Sequence, residues 1–195
     1  MSNYIITIGR QFGCHGKEVG KELAKRLGIE YYDADKVNEY IAEDCGITKK
    51  EVDEFMEKRT SSLLYEMAVF AVMGPMEEKV FFSQTKVVKQ LAEKSSCVFV
   101  GVCADYILKD QENIFKIFLQ GDINKRLETA KKDYPGLTEK DIKTADRKRA
   151  SYYNFFTAQK WGEKGIYDII VNVELGFDLI IDVLEKIAIE KFGGK

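Results

Sequence analysis

The 195-residue chain has one histidine, one tryptophan and two prolines. A lone histidine and four scattered cysteines (Cys14, Cys45, Cys97 and Cys103, with no Cys-x-x-Cys pair) speak against a zinc site. The same cysteine usage makes a reducing cytoplasm the expected setting. Two prolines and no low-complexity stretch argue against a flexible linker between domains, and no internal repeat is visible. There is no excess of either charge: 30 Lys and Arg against 32 Asp and Glu, a formal net charge of −2. Neither nucleic acid nor an anionic membrane is therefore expected as the main partner. No uncharged run approaches the roughly 18 residues needed to span a bilayer. The opening "MSNYIITIGR" lacks the charged leader and the long apolar run of a signal peptide. With 45% hydrophobic and 32% charged residues, the composition suits one soluble globular domain able to bury a sizeable core.

Five short apolar or β-branched runs read as strands: "YIITI" (4–8), "EYYD" (30–33), "CVFVG" (97–101), "FKIFLQ" (115–120) and "YDIIVN" (167–172). Helical patterns lie between them. Val19, Leu23, Ala24 and Leu27 put one apolar face on a helix that opens at Gly16 and closes at Gly28. Phe177, Ile180, Ile181, Leu184, Ile187 and Ala188 do the same near the C-terminus. Continuously apolar strands alternating with helices indicate a parallel sheet covered on both faces. The stretch from about 34 to 95 reads as wholly helical, with Thr48 as an N-cap before "KKEVDEFMEK". Its apolar piece "SSLLYEMAVFAVMGPM" suits core packing, a subunit interface or the wall of a pocket.

"GRQFGCHGKE" (9–18) follows the first strand and precedes the first helix. The phosphate-gripping pattern for such a bend is G-x-x-x-x-G-K-[ST]. Gly16-Lys17 fits its second half, but the first glycine falls on Gln11 and the Ser/Thr on Glu18. Ligands of parallel sheets bind beyond the carboxyl ends of the strands, where this stretch lies. Gly13 and Gly16 can adopt positive φ and turn backbone N–H groups inward as an anion nest. The helix opening near Gly16 adds about half a positive charge at its N-terminus. Lys17 on its first turn can reach phosphate oxygens. A glycine-rich turn carrying a solvated lysine accounts for the same letters, so the local pattern leaves both readings open.

Longer segments add to it. "ITIGRQFGCHGKEVGKELAKRLGIEYYDADKV", "VFVGVCADYILKD" and "DRKRASYYNFFTAQKWGEKGIYDIIVN" together resemble the cytidylate kinase-like family, a divergent branch of the P-loop nucleoside-monophosphate kinases. Many members of that family replace the Ser/Thr after the loop lysine with Glu, as Glu18 does. The resemblance implies a single P-loop NTPase-type domain over 1–195: an α/β, three-layer fold with a five-stranded parallel sheet flanked by helices. It also implies a helical acceptor-side subdomain at about 34–95 and a lid region at about 121–160. The implied activity is phosphoryl transfer from ATP, with Mg²⁺, to a small, nucleoside-monophosphate-like acceptor.

On that resemblance Gly13, Cys14, His15, Gly16, Lys17 and Glu18 would hold the nucleotide, and Glu18 would meet the metal in place of a hydroxyl, although a carboxylate there could equally pair with lysine or cap its own helix. Lys17 would act from below, and Arg126 ("DINKRLE") and Arg149 ("DRKRASYY") from above as catalytic cations. Asp146, three residues before Arg149, shares its helix face and would aim that guanidinium or touch substrate. Asp33 would place the acceptor or cap the next helix. His15 and Cys14 serve loop geometry first. Phe155, Phe156 and Trp161 could stack a base or pack the core. One departure stands out: where relatives carry Gly-Arg after the third strand, this chain has Gly101-Val102-Cys103, which removes a cation from the acceptor side. Together with Gln11, it motivates a rival reading, a catalytically inactive nucleotide-binding module working through protein partners. Small-molecule nucleotides are the expected partners, and a homo-oligomer is left open.

Overall fold

The structure, a computed structural model, describes residues 3–57 and 75–193. Five strands form one sheet: β1 (Ile5–Arg10), β2 (Glu30–Tyr32), β3 (Cys97–Val100), β4 (Ile114–Gln120) and β5 (Ile169–Asn172). Their order is β2-β3-β1-β4-β5, and every neighbouring pair is parallel. The parallel α/β sheet expected from the apolar runs is thus the observed one. β1 extends two residues beyond the expected run, because Gly9 and Arg10 continue the pairing with Phe118 and Leu119 of β4.

Strand alternation divides the core between the two faces of the sheet. Ile6, Ile8, Val98, Val100, Ile117 and Leu119 pack with Leu23 of α1 (Gly16–Leu27) and with Ile181 and Leu184 of α8 (Phe177–Phe192). Ile5, Cys97, Phe99 and Ile114 face the opposite way. They meet Val37 and Ile41 of α2 (Ala34–Cys45) and Val88 and Leu91 of α4 (Pro75–Lys94). Both layers are built from buried apolar side chains, and each fully buried side chain of this size contributes about 1.5–3 kcal/mol. Helices α3 (Lys49–Glu57), α5 (Ala104–Ile107), α6 (Ile123–Asp133) and α7 (Glu139–Thr157) complete the described set.

The expected helix ends are present. Gly28 takes φ 65° and its N–H returns to the Ala24 and Lys25 carbonyls. Asp33 accepts the Lys36 N–H as the N-cap of α2. Thr48 and Glu51 exchange hydrogen bonds ahead of α3, a capping box. Residues 34–57 and 75–94 are largely helical, whereas residues 61–74 of the apolar piece lie outside the described residues. Among the described residues no helix is long and apolar enough to cross a membrane.

Candidate active site

The loop between β1 and α1 is shaped by contacts made behind it. Gly13 has φ 79°, and a Cβ there would lie 2.4 Å from the Arg126 carbonyl oxygen. No other residue type fits that position without moving backbone. The second left-handed residue is His15 (φ 52°), the N-cap of α1, and not Gly16 as the nest expectation had it. Gly16 is helical, and its lack of a side chain serves a different purpose: a Cβ would fall 2.6 Å from Arg10 Cγ. Among the described residues, the N–H groups of Gly13 to Glu18 meet no acceptor. They line a small cavity of about 130 Å³ together with Lys17, Thr129 and Tyr134. A left-handed pair followed by a helix N-terminus is an anion-binding arrangement.

Arg126 does not reach this cavity. It is 6% exposed, and it donates to the Gly121 carbonyl (3.1 Å), the Phe12 carbonyl (3.0 Å) and Asp146 Oδ2 (2.6 Å). Asp146 Oδ1 in turn accepts the Phe12 N–H at 2.6 Å. One largely buried ion pair therefore holds both the N–H and the carbonyl of Phe12 and fixes the entry to the loop. The sequence expectation had Asp146 aiming Arg149 or touching substrate and Arg126 facing the transferring group. The geometry instead pairs Asp146 with Arg126, and both stand behind the loop.

The Lys17 ammonium lies 2.5 Å from Asp35 Oδ2 and 3.6 Å from Asp33 Oδ2. The hydrogen bond to Asp35 is the main cause that raises the Lys17 pKa and lowers that of Asp35. Asp33, 5% exposed, is occupied by its cap and by the Tyr31 hydroxyl at 3.1 Å. Glu18 is exposed and its carboxylate lies 3.9 Å from His15 Nδ1. Among the described residues no group of three or more His, Cys, Asp or Glu gathers as a metal site. Glu18 and Asp133 are the carboxylates that line the small cavity. Cys14 is buried, and burial pushes its thiol up to about 12. It supports the loop from the core side.

A second, larger cavity of about 440 Å³ opens on the other side of the strand ends. Gly101, Val102 and Asp105 from the β3 side and Lys148, Arg149 and Tyr152 from α7 help line it. Both cavities are bordered by Arg10, Phe12 and Arg149. The Arg149 guanidinium sits 5.3 Å from the centre of the Phe12 ring and 3.5 Å from the Arg10 carbonyl oxygen. Burial lowers the pKa of Arg149. Burial, and then the charge of Arg149, pull Arg10 down to about 9. Arg10 and Arg149 are both partly buried at the border of the two cavities. Among the described residues neither has a carboxylate within ion-pairing distance, in contrast to Arg126.

Deeper in the larger cavity, Gln84 donates to the Val102 carbonyl (2.7 Å) and accepts the Tyr152 hydroxyl (2.8 Å). The Tyr153 hydroxyl donates to Asp105 Oδ2 at 2.7 Å, in a region where burial raises the pKa of Asp105, Tyr153 and Tyr167. Trp161 lines this cavity with its edge against Phe118, while Phe156 stacks on Phe81 at 4.0 Å. Sequence reading missed Arg10, Asp35, Gln84 and Asp105. For Arg10 a signal was present, since it ends the first strand, where ligands of such sheets gather. Gln84 had none, because its part in the cavity depends on where α4 packs.

Comparison with known proteins bears on the fold and the family. A crystal structure of an uncharacterized protein from Eubacterium ventriosum ATCC 27560 is 27% identical, with TM-score 0.70, covering 96% of this chain and 98% of that one. A gluconokinase from Sinorhizobium meliloti 1021 (12% identity, TM-score 0.59, 97% and 91% covered) shares the fold. So does a shikimate kinase from Acinetobacter baumannii solved with shikimate (17% identity, TM-score 0.51, 96% and 93% covered). No curated protein matches the chain. Residues 5–175 match the cytidylate kinase-like family, which takes in the whole sheet, the loop and both cavities. The chain belongs to the cytidylate kinase-like family, as a kinase-like phosphotransferase on the P-loop kinase fold.

Proposed function

We propose that the protein transfers a phosphoryl group from ATP, with Mg²⁺, to a small nucleoside-monophosphate-like acceptor. The carrying observation is the pair of cavities that meet at Arg10, Phe12 and Arg149. Such a junction is where a group leaving one ligand and joining another must pass. The N–H groups of Gly13 to Glu18 and the Lys17 ammonium hold the donor phosphates. Lys17 reaches them by leaving Asp35, a low barrier because its partner is 61% exposed and exposed ion pairs contribute about 0–1 kcal/mol. Glu18 at the first turn of α1 would hold Mg²⁺ directly or through water, and the ion would neutralise charge on the phosphates.

Arg149 supplies positive charge at the junction, held in place by the Phe12 ring. Arg126 and Asp146 keep the loop in its phosphate-ready form. Phosphoryl transfer asks little more of a protein than this positioning and charge. The test is acceptor-dependent ADP release by purified protein with ATP, Mg²⁺ and each common nucleoside monophosphate. ADP formation with at least one acceptor supports the reading. ATP binding without acceptor-dependent ADP for any of them would leave a nucleotide-binding module that does not catalyse.

A further inference from the structure

One side chain in the wall of the larger cavity carries a polar atom with no partner on the protein. Among the described residues three buried side-chain polar atoms make no hydrogen bond: Thr7 Oγ1, Asn38 Oδ1 and Ser83 Oγ. Thr7 and Ser83 line neither cavity, whereas Asn38 lines the larger one. Ala34 and Asn38 stand one turn apart on α2, and both belong to that wall. Asn38 is 5% exposed. Its Nδ2 donates to Asp53 Oδ1 of α3 at 2.8 Å, and Asp53 Oδ2 takes the Lys49 ammonium at 2.9 Å. A carboxylate paired with a cation accepts and does not donate, so the amide cannot turn around without losing its bond. The oxygen is therefore the end of Asn38 left for a ligand. Other polar side chains of this wall are already engaged. Gln84 uses its amide on the Val102 carbonyl and the Tyr152 hydroxyl, and Asp105 accepts the Tyr153 hydroxyl. A buried acceptor without a donor is unfavourable, and a ligand that brings the donor relieves it.

We infer that Asn38 is a specificity-determining residue of the larger cavity: its Oδ1 accepts a hydrogen bond from an exocyclic amino group on the base of the acceptor, and Asp53 orients it. The inference rests on the transfer reading above and concerns the part of the acceptor that does not react. An exocyclic amino group carries two N–H donors, and its lone pair is drawn into the ring. An oxo group in the same place sets oxygen against oxygen. A site built around a buried hydrogen-bonding group discriminates strongly against an analogue that lacks the matching group.

Calorimetry of the full chain with two pairs of monophosphates, CMP against UMP and AMP against IMP, tests it. In at least one pair the wild type is expected to bind the amino member about tenfold or more tighter than the oxo member. In Asn38→Leu, close in size but without the oxygen, that preference falls to about threefold or less while ATP affinity changes by less than about threefold. Asp53→Ala frees the amide to turn and lowers the preference likewise, whereas Asp53→Asn can still accept the Asn38 N–H and keeps it. Asp53 is 35% exposed, so its two variants carry the test if the leucine variant does not fold. The inference is overturned if the wild type shows no preference within either pair, favours the oxo member or binds none of the four. It is also overturned if Asn38→Leu keeps the preference or weakens ATP binding in parallel, or if the two Asp53 variants behave alike. Acceptor-dependent ADP formation without an amino preference would sink this inference and leave the transfer reading standing. Amino-selective binding without ADP formation would do the reverse.

Discussion

Arg10 Nη1 occupies the volume that a Gly101 side chain would need, 2.2 Å from where its Cβ would stand. Gly101 also has φ 78°, a left-handed conformation. An alanine there meets both problems. The backbone strain costs about 1–2 kcal/mol, and the Arg10 head, the far end of a flexible side chain, must swing away. Gly101→Ala is expected to lower stability by that amount, read from urea unfolding, and to raise the acceptor KM without a matching loss of ATP affinity. A variant with wild-type acceptor KM would mean that the Arg10 head is not used where it lies.

Arg126 and Arg149 should separate on stability against turnover. Asp146→Ala leaves the buried Arg126 charge without its carboxylate and the Phe12 N–H without an acceptor. Breaking a buried pair in this way costs about 3–5 kcal/mol, so the melting temperature and ATP affinity should fall together. Arg149→Ala should leave both nearly intact and lower kcat, by as much as about 10³–10⁵ if its charge acts mainly in the transition state. Thermal melts and steady-state kinetics on the two variants decide it. If Arg149→Ala loses stability and keeps its turnover, the arginine is structural.

Lys17 and Asp35 form an exposed pair that ATP must replace. Lys17→Ala should weaken ATP binding by about 1.5–3 kcal/mol, the worth of a charge-assisted bond. Asp35→Asn should change stability by less than about 1 kcal/mol and leave ATP affinity equal or slightly higher. Calorimetry with ATP on both variants checks this. A large loss of ATP affinity in Asp35→Asn would show that the carboxylate serves the donor site directly.

Asp105 gives the pH dependence. Burial raises its pKa in the folded protein above the ordinary value of 3.8, against the opposing effect of the Tyr153 hydroxyl. The folded state therefore holds this proton more firmly than the unfolded state does. Its contribution to stability is fully present below about pH 3.8 and is lost as pH rises through the folded pKa. Asp105→Asn removes that loss. The melting temperature of the variant relative to wild type is expected to rise between pH 4 and pH 8. A difference that stays flat or shrinks would mean that Asp105 is ionised without penalty.

Much of the architecture was readable as pattern. Apolar runs of four to six residues separated by amphipathic helices imply a parallel sheet, because only burial on both faces makes such strands stable. Gly28, Asp33 and Thr48 were legible as helix ends, since capping depends on a residue's own chemistry and its neighbours within a turn. The loop itself was also legible from Gly16-Lys17 at a strand–helix junction. What escaped was the use of each side chain. His15, not Gly16, takes the left-handed position, and the missing side chain of Gly16 instead leaves room for the Arg10 stem.

Sequence alone determined the parallel order of layers and the place of the phosphate loop, because periodicity and local backbone chemistry act over a few residues. Only the tertiary structure decided where each arginine sits and what it pairs with. Arg126 and Asp146 are 20 residues apart and meet behind Phe12, while Arg10 and Arg149, 139 residues apart, meet where the two cavities join. Arg126 has folded onto a carboxylate, whereas among the described residues Arg10 and Arg149 have none within ion-pairing distance. That difference comes from the surroundings of the charge and leaves no mark on the sequence around it.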